Sequence, residues 1–159
     1  MADEQLKPLV QQGLAAMKSG GKVAAEATAD IEDDATNEQL KAALKQGNET
    51  SKQWTARIDR ALKEAGSADE RDNPIMEAHY EVSKRIRGEA KSDYARDLGI
   101  IASGQLALHY WIASFGTMHA YAKRAGLSQA AQDMETCVNE AKQADEQLTQ
   151  LAIQIMQTS

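Results

Sequence analysis

The chain has 159 residues, 24 of them acidic and 18 basic, and its formal net charge is −6. This acidic balance argues against a nucleic-acid binder, because such proteins present a basic face to the phosphate backbone. Only two prolines occur and aromatic residues make up 4% of the chain, a composition that favours helices over β-sheet. The length suits one domain, residues 1–159, with a core of its own.

The single cysteine, Cys137, excludes an intramolecular disulfide, and a reducing compartment is expected. The N-terminal segment MADEQLKPLV lacks the basic and apolar regions of a signal peptide. No apolar run approaches the roughly 18 residues of a membrane span. We therefore expect a cytoplasmic protein that contacts no membrane. Cys137 lies on an apolar helix face and is predicted to be a core residue rather than a nucleophile.

The first predicted helix covers residues 3–35 and has the least regular pattern. Leu6, Val10, Leu14 and Met17 form an apolar stripe with helical spacing, which the sequence SGG at 19–21 interrupts. We interpret the segment as one long helix with a weak or kinked middle, and two separate helices are the alternative.

The second predicted helix follows a capping box formed by Thr36 and Gln39. It ends at the loop GSADERDNP, residues 66–74. Its apolar seam has alternating steps of three and four residues, which is typical of a helix packed in a bundle. The seam consists of Leu40, Leu44, Gly47, Ser51, Trp54, Ile58 and Ala61.

Three more helices are predicted after this loop. A short one spans residues 74–91 with Pro74 in its first turn. A helix of about 30 residues begins near Ser92, and Gly126 ends it before a last helix capped by Ser128. The seam of the long helix is Ile101, Gln105, Leu108, Ile112, Phe115 and His119, and that of the last is Met134, Cys137, Ala141, Ala144, Leu148, Leu151 and Ile155.

These elements predict an all-α, four-helix bundle with an additional short helix in the long crossover between helices two and three. The chain contains no zinc-protease, nucleophile-elbow or phosphate-loop motif and no Cys/His cluster. We therefore assign no catalytic residue, no cofactor and no cofactor-binding residue.

Bundles of this topology can hold a di-metal centre on inward carboxylates and histidines from all four helices. The inward positions at mid-bundle here carry small or apolar residues, and only Asp145 flanks a seam at that level. These positions are Gly47, Ser51, Leu108, Trp111, Ala141 and Ala144.

The C-terminal segment from HYWIASFG to LTQLAI, residues 109–153, resembles the YciE/YciF family of ferritin-like bacterial stress proteins. The resemblance extends through most of the chain from about residue 19, including NEQLKAAL in the second helix. It implies a ferritin-like fold and a homodimer. The matching residues are His109, Tyr110, Ile112, Ala113, Ser114, Gly116, Gly126, Leu127, Lys142, Asp145, Leu148, Thr149, Leu151 and Ala152.

The resemblance also implies that the metal site of the family has degenerated in this chain. At the ligand-type positions only Asp145 is retained, and small or apolar residues replace the other ligands. His109 matches a family residue that lies between the carboxylates. The vacated positions are Gly21, Gly47, Thr50, Leu108, Trp111 and Ala141.

Two functions follow from these changes, and the first is favoured. The first is a non-enzymatic, metal-free, stress-related protein that acts as a dimer or binds a protein partner whose identity the sequence does not give. The alternative is an iron- or manganese-dependent enzyme of peroxide or oxygen chemistry with a displaced site. Its candidate ligands are Asp145, Glu140, Glu49, His109 and Glu26. A small-molecule pocket in the vacated centre is a third hypothesis, against which the bulk of Trp111 argues.

We expect the Trp111 ring inside the bundle, in or beside the volume where relatives hold metals. Gly21, Gly47 and Ala141 are expected to face that volume, because an interior at normal packing density needs side-chain atoms to replace a lost site. Asp145 needs hydrogen-bond donors or contact with water. His109 and Thr50 are the candidate donors.

Overall fold

The computed structural model describes residues 1–158, and these form a bundle of five α-helices without a β-strand. This confirms the expected all-α, ferritin-like architecture with a short helix in the crossover. A single 3-10 turn, Glu4–Leu6, precedes the first helix. The helices are α1 (Lys7–Asp34), α2 (Glu38–Ala65), α3 (Pro74–Glu89), α4 (Asp93–Arg124) and α5 (Ser128–Gln157).

The N-terminal segment forms one continuous helix through SGG, and the alternative of two helices is wrong. The glycines serve close packing. A Cβ on Gly20 would lie 2.6 Å from Nδ2 of Asn73 and 3.2 Å from Cγ of Met76. The start of α3 can therefore approach α1 directly, and Asn73 donates to the Ala16 carbonyl at 2.8 Å.

The caps of α2 and α5 differ from the sequence prediction. Asn37, not Thr36, is the N-cap of α2 and accepts from the Leu40 amide at 3.0 Å. Ser128 begins α5 without capping it. Instead, Glu64 at the end of α2 accepts from the backbone amides of Gln129 and Ala130. A carboxylate at a helix N-terminus satisfies free N–H groups and interacts favourably with the helix dipole.

Helices α4 and α5 are antiparallel neighbours, as expected from the short connection between them. Gly126 ends α4 in the left-handed region at φ +77°, which glycine adopts without a steric penalty. The pair has the most extensive packing in the bundle. Phe115 is fully buried as predicted, and Ile112 is partly buried. The rest of the predicted seam of α4 is displaced, because the buried face runs through Ala107, Trp111 and Met118 and not through Gln105, Leu108 and His119.

The apolar core consists of two clusters at different levels of the bundle. The larger cluster is centred on the aromatic side chains Trp54, Trp111 and Phe115, and it also includes Met134. The smaller one joins the opposite ends of the long helices and includes Leu40, Ile101 and Leu151. The level between the clusters is where a bundle of this kind can hold a cofactor.

Helix α4 is, by length and composition, the one helix within residues 1–158 that meets the criteria for a membrane span. The expectation that no apolar segment reaches this length is therefore wrong for α4. In its most apolar 18-residue window, 33% of the residues are buried inside the bundle. The core helix of a soluble protein passes the same test, so the composition of α4 alone does not establish a membrane protein.

Candidate functional site

Trp111 lies inside the bundle with 5% of its surface exposed. Its ring stacks on Phe115, with centroids 5.3 Å apart and an interplanar angle of 24°. Trp54 of α2 is tilted against it at 6.1 Å, and Tyr110 packs edge-on at 5.1 Å. Aromatic contacts of this kind add stability beyond that of the buried area. The burial of Trp111 is as expected from the sequence.

A cleft of about 610 Å³ lies next to Trp111, at the level between the two apolar clusters. We call it the central cleft. Its walls include Leu44 and Trp54 of α2, Ser103 and Trp111 of α4, and Leu148 of α5. The expectation that Trp111 leaves no room for a large pocket is therefore wrong. The ring packs towards Phe115 in the larger cluster, so it forms one wall of the cleft and does not cross it.

The positions at which the resemblance implies lost ligands divide between the cleft and its surroundings. Gly47, Thr50 and Leu108 line the central cleft with Trp111, whereas Gly21 and Ala141 do not. Gly21 and Ala141 thus lie outside the lining of the cleft. A Cβ on Gly21 would meet Thr55 Oγ1 at 3.4 Å, and Ala141 is buried within the larger apolar cluster.

Glu140, next to Ala141, lines the cleft and is held by two side chains of α2. Trp54 Nε1 donates to one carboxylate oxygen at 2.8 Å. Arg57 donates to both oxygens, at 2.7 and 3.2 Å. This bidentate pair orients the carboxylate. It raises the pKa of the Arg57 guanidinium, chiefly through the hydrogen bonds to Glu140.

Asp145 interacts with His109 and not with Thr50. His109 Nε2 is 3.0 Å from Asp145 Oδ2 and donates to it, while Thr50 lines the central cleft. The other carboxylate oxygen, Oδ1, is buried without a hydrogen-bond partner. His109 is one of the two donors expected from the sequence, and the pair lies at the edge of the bundle because the His109 side chain is 66% exposed.

The candidate metal ligands do not form a metal site in the part of the chain that the structure describes. Among residues 1–158, no group of three or more His, Cys, Asp or Glu side chains is positioned to hold a metal ion. Asp145 pairs with His109, Glu140 with Arg57 and Glu49 with Lys52. Glu26 is exposed on α1. The residues present therefore do not fit the di-metal centre that the resemblance implies for the family.

Several polar residues of the cleft were not singled out in the sequence, among them Tyr80 and Ser83 of α3, and Ser103 of α4. Burial raises the pKa of Tyr80 to about 12, so its phenol is neutral. His79, beside it, contacts the Tyr80 ring edge-on at 4.7 Å, and burial lowers the pKa of its imidazole. The helical spacing of Tyr80 and Ser83 was visible in the sequence, but the side of the bundle that α3 covers was not.

Cys137 is fully buried in the larger apolar cluster, as expected for a core residue. Burial raises the pKa of its thiol to about 11, although the neighbouring Arg57 opposes the shift. The thiolate, which is the nucleophile, is therefore scarce at neutral pH. Arg57 Nη1 lies 3.9 Å from Sγ.

A family model described as "Domain of unknown function (DUF892)" matches residues 6–159. The chain is 35% identical over 78 residues to "Protein YciF" of Escherichia coli K12. That alignment covers 49% of this chain and 47% of the relative, so it spans about half the length of the curated relative.

The fold is similar to those of three solved structures. The structure of the E. coli stress protein YciF has a TM-score of 0.92 and 26% identity, covering 97% of this chain and 98% of that one. YcfI of Rhodopseudomonas palustris has a TM-score of 0.86 and 25% identity, with 91% and 92% coverage. The Xanthomonas campestris protein XCC3681 has a TM-score of 0.76 at 17% identity, with 97% and 94% coverage; this shows similarity of fold alone.

Proposed function

We propose that this chain, which belongs to the DUF892 family, is a metal-free, non-enzymatic, stress-related protein that acts as a homodimer. The similarity to the E. coli stress protein YciF supports the stress-related role. The separate pairing of the candidate ligand side chains supports the absence of a metal centre. The outer face of α4 supports a role exerted through the surface, and it is the observation that carries the proposal.

The outer face of α4 has no Lys, Arg, Asp or Glu between Asp97 and Lys123. A surface helix in a monomeric globular protein normally carries charged residues opposite its apolar stripe. Here the exposed positions are apolar or uncharged apart from His109, and Leu106 is 61% exposed. The exposed residues of this segment are Ala102, Leu106, His109, Ala113, Thr117, Ala120 and Tyr121.

A second copy of the chain is the partner that fits this face best. Two copies with a net charge of −6 repel each other, and this repulsion is smallest at a face without acidic side chains. A two-fold axis through the face would place it against itself, which is the geometry of most homodimers. The burial of Leu106 and its neighbours would then supply the apolar contact at the centre of the interface.

The substitution Leu106→Glu is expected to convert the dimer into a monomer. The two-fold axis brings the introduced carboxylates of both copies together in an apolar interface, where like charges cost several kcal/mol. We expect dimer affinity to fall by at least about a hundredfold. Analytical ultracentrifugation should report about twice the 17.3 kDa chain mass for the unmodified protein and the single mass for the variant.

Ala56→Glu is the matched control, because it adds the same charge to an exposed position of α2. This variant should remain dimeric, and both variants should keep the far-ultraviolet circular dichroism of the unmodified protein. A monomeric unmodified protein, or a Leu106→Glu variant that dimerises equally well, would contradict the proposal.

The proposal also includes a cytoplasmic location. Flotation of the protein with uncharged lipid vesicles would instead assign the α4 face to a membrane.

A further inference from the structure

The central cleft is large and is lined by residues from every helix of the bundle. Its volume of about 610 Å³ lies within the roughly 300–1,000 Å³ range of small-molecule sites. It separates the two apolar clusters, since its lining includes Trp111 from one cluster and Ile100 from the other. Gln46 and Gln143 at its rim are exposed, so the cleft opens to solvent and a molecule can enter it.

A buried polar atom in the wall of the cleft lacks a partner. Ser103 is 3% exposed, and its Oγ makes no hydrogen bond to any described residue. A serine inside a helix commonly donates to the carbonyl four residues earlier, and Ser103 does not. Ser83, which also lines the cleft, accepts from Arg87 at 2.7 Å, and no described group accepts from its hydroxyl. Both serines line the cleft, and rotation about χ1 that turns either hydroxyl towards it would let that hydroxyl bond to a molecule there.

The charges around the cleft restrict the kind of molecule that it can take. No lysine or arginine lines it, and the two carboxylates that do are Glu32 and Glu140. Glu32 accepts from Asn48, and Glu140 pairs with Arg57. Arg57 balances Glu140, but no described cation pairs with Glu32. A negatively charged ligand would thus meet the Glu32 charge and find no lysine or arginine in the cleft wall, and desolvating an unpaired charge is costly. Anionic ligands such as fatty acids and phosphates are thus disfavoured.

The apolar part of the wall favours an aromatic ligand. Trp54 and Trp111 line the cleft, and their rings are 6.1 Å apart at an angle of 52°. Leu44, Leu108 and Leu148 complete this surface. Flat indole faces pack well against a planar ring, and few conformations are lost when two rigid groups meet.

We propose that the central cleft binds an uncharged aromatic molecule with one polar group, such as a hydroxyl, carbonyl or amine. The ring lies against Trp54 and Trp111, and the polar group bonds to Ser103 or Ser83. This site is separate from the outer face of α4, so its occupation does not depend on the dimer proposed above. Ligand binding and oligomeric state are measured independently. A negative result for either proposal therefore does not contradict the other.

Binding can be followed with N-phenyl-1-naphthylamine, an uncharged aromatic amine that fluoresces in apolar surroundings. The only two tryptophans of the chain both line the cleft, so energy transfer from tryptophan reports a probe bound there. We expect saturable binding with one site per chain. The sulfonated analogue 8-anilinonaphthalene-1-sulfonate differs mainly by its negative charge and should bind at least about tenfold more weakly.

Gly47→Leu should weaken probe binding at least about tenfold, because the added side chain occupies the cleft. Gly47 lines the cleft, and a Cβ there would meet nothing within 4 Å. Gly88→Leu is the matched control. Gly88 of α3 also has no atom within 4 Å of an added Cβ, and it does not line the cleft. Both substitutions replace a helical glycine with a better helix former, so both variants should fold.

Ala144→Phe provides a second obstruction from α5, since Ala144 also lines the cleft. Ser103→Ala should weaken binding while keeping or raising the melting temperature, because it removes a buried hydroxyl without a partner. Equal binding of the two probes, no binding of the amine, or equal binding by the Gly47→Leu and unmodified proteins would overturn the proposal.

Discussion

Replacing Trp111 with alanine is expected to lower the free energy of unfolding by about 3–5 kcal/mol, the usual cost of truncating a buried large aromatic residue. The indole is 5% exposed and packs against Trp54, Tyr110 and Phe115. Removing it would enlarge the central cleft, which it already borders. Urea unfolding followed by far-ultraviolet circular dichroism measures the change, because the midpoint moves while the slope stays constant.

Tyr94→Ala on the same helix is the control, because it truncates an aromatic side chain that is 43% exposed. Its expected cost is about 0.5 kcal/mol or less, as for most surface substitutions. If the midpoint for Trp111→Ala coincided with that of the unmodified protein, the indole would not be a core residue in solution.

Asp97→Ala is expected to lower the free energy of unfolding by about 2–3 kcal/mol. Asp97 is 4% exposed near the start of α4, and its carboxylate is hydrogen-bonded to the turn between α1 and α2. Its carboxylate accepts from the Thr36 amide at 2.8 Å, the Thr36 hydroxyl at 2.7 Å and the Asn37 amide at 2.9 Å. The substitution removes the acceptor for all three donors.

Asp93→Ala provides the comparison one turn earlier on α4. The Asp93 side chain is 71% exposed and pairs only with Arg96 on its own helix. Exposed pairs of this kind contribute little to stability, so this variant should unfold within about 0.5 kcal/mol of the unmodified protein. If Asp97→Ala and Asp93→Ala had the same free energy of unfolding, the hydrogen bonds to Thr36 and Asn37 would contribute nothing measurable to stability.

The helices and their inward faces follow from the sequence because apolar spacing is a local property. The seam through Leu40, Trp54 and Ile58 predicts the buried face of α2, and all three residues are buried. Likewise, Pro74 marks the beginning of α3. These signals need no knowledge of the rest of the chain.

The caps and the glycines depend on distant residues, and there the sequence prediction fails. Thr36 and Asn37 are both suitable N-caps, but Thr36 bonds to Asp97, 61 residues away, and Asn37 is left to cap α2. The sequence suggests that Gly20 interrupts the helix. In the structure, its missing side chain leaves the space in which Asn73 and Met76 pack against α1. A local pattern does not reveal such contacts.

The site is predictable in part. The sequence predicts the burial of Trp111. It offers two donors to Asp145, of which His109 makes the bond and Thr50 does not. The open cleft is not predictable, because it depends on how far apart the five helices lie and on which rotamer the indole adopts. The orientation of the Glu140 side chain is likewise not predictable from its position beside Ala141. It is fixed by hydrogen bonds from Arg57 and Trp54 of another helix.

The metal content of the protein tests the central claim most directly. Cells are grown with added iron and manganese, the protein is purified without chelator, and bound metals are quantified by mass spectrometry against protein concentration. We expect neither iron nor manganese in stoichiometric amount, because Asp145, Glu140 and Glu49 each pair with a different side chain. Stoichiometric iron or manganese that survives dialysis would contradict the metal-free account and favour an enzyme with a displaced site.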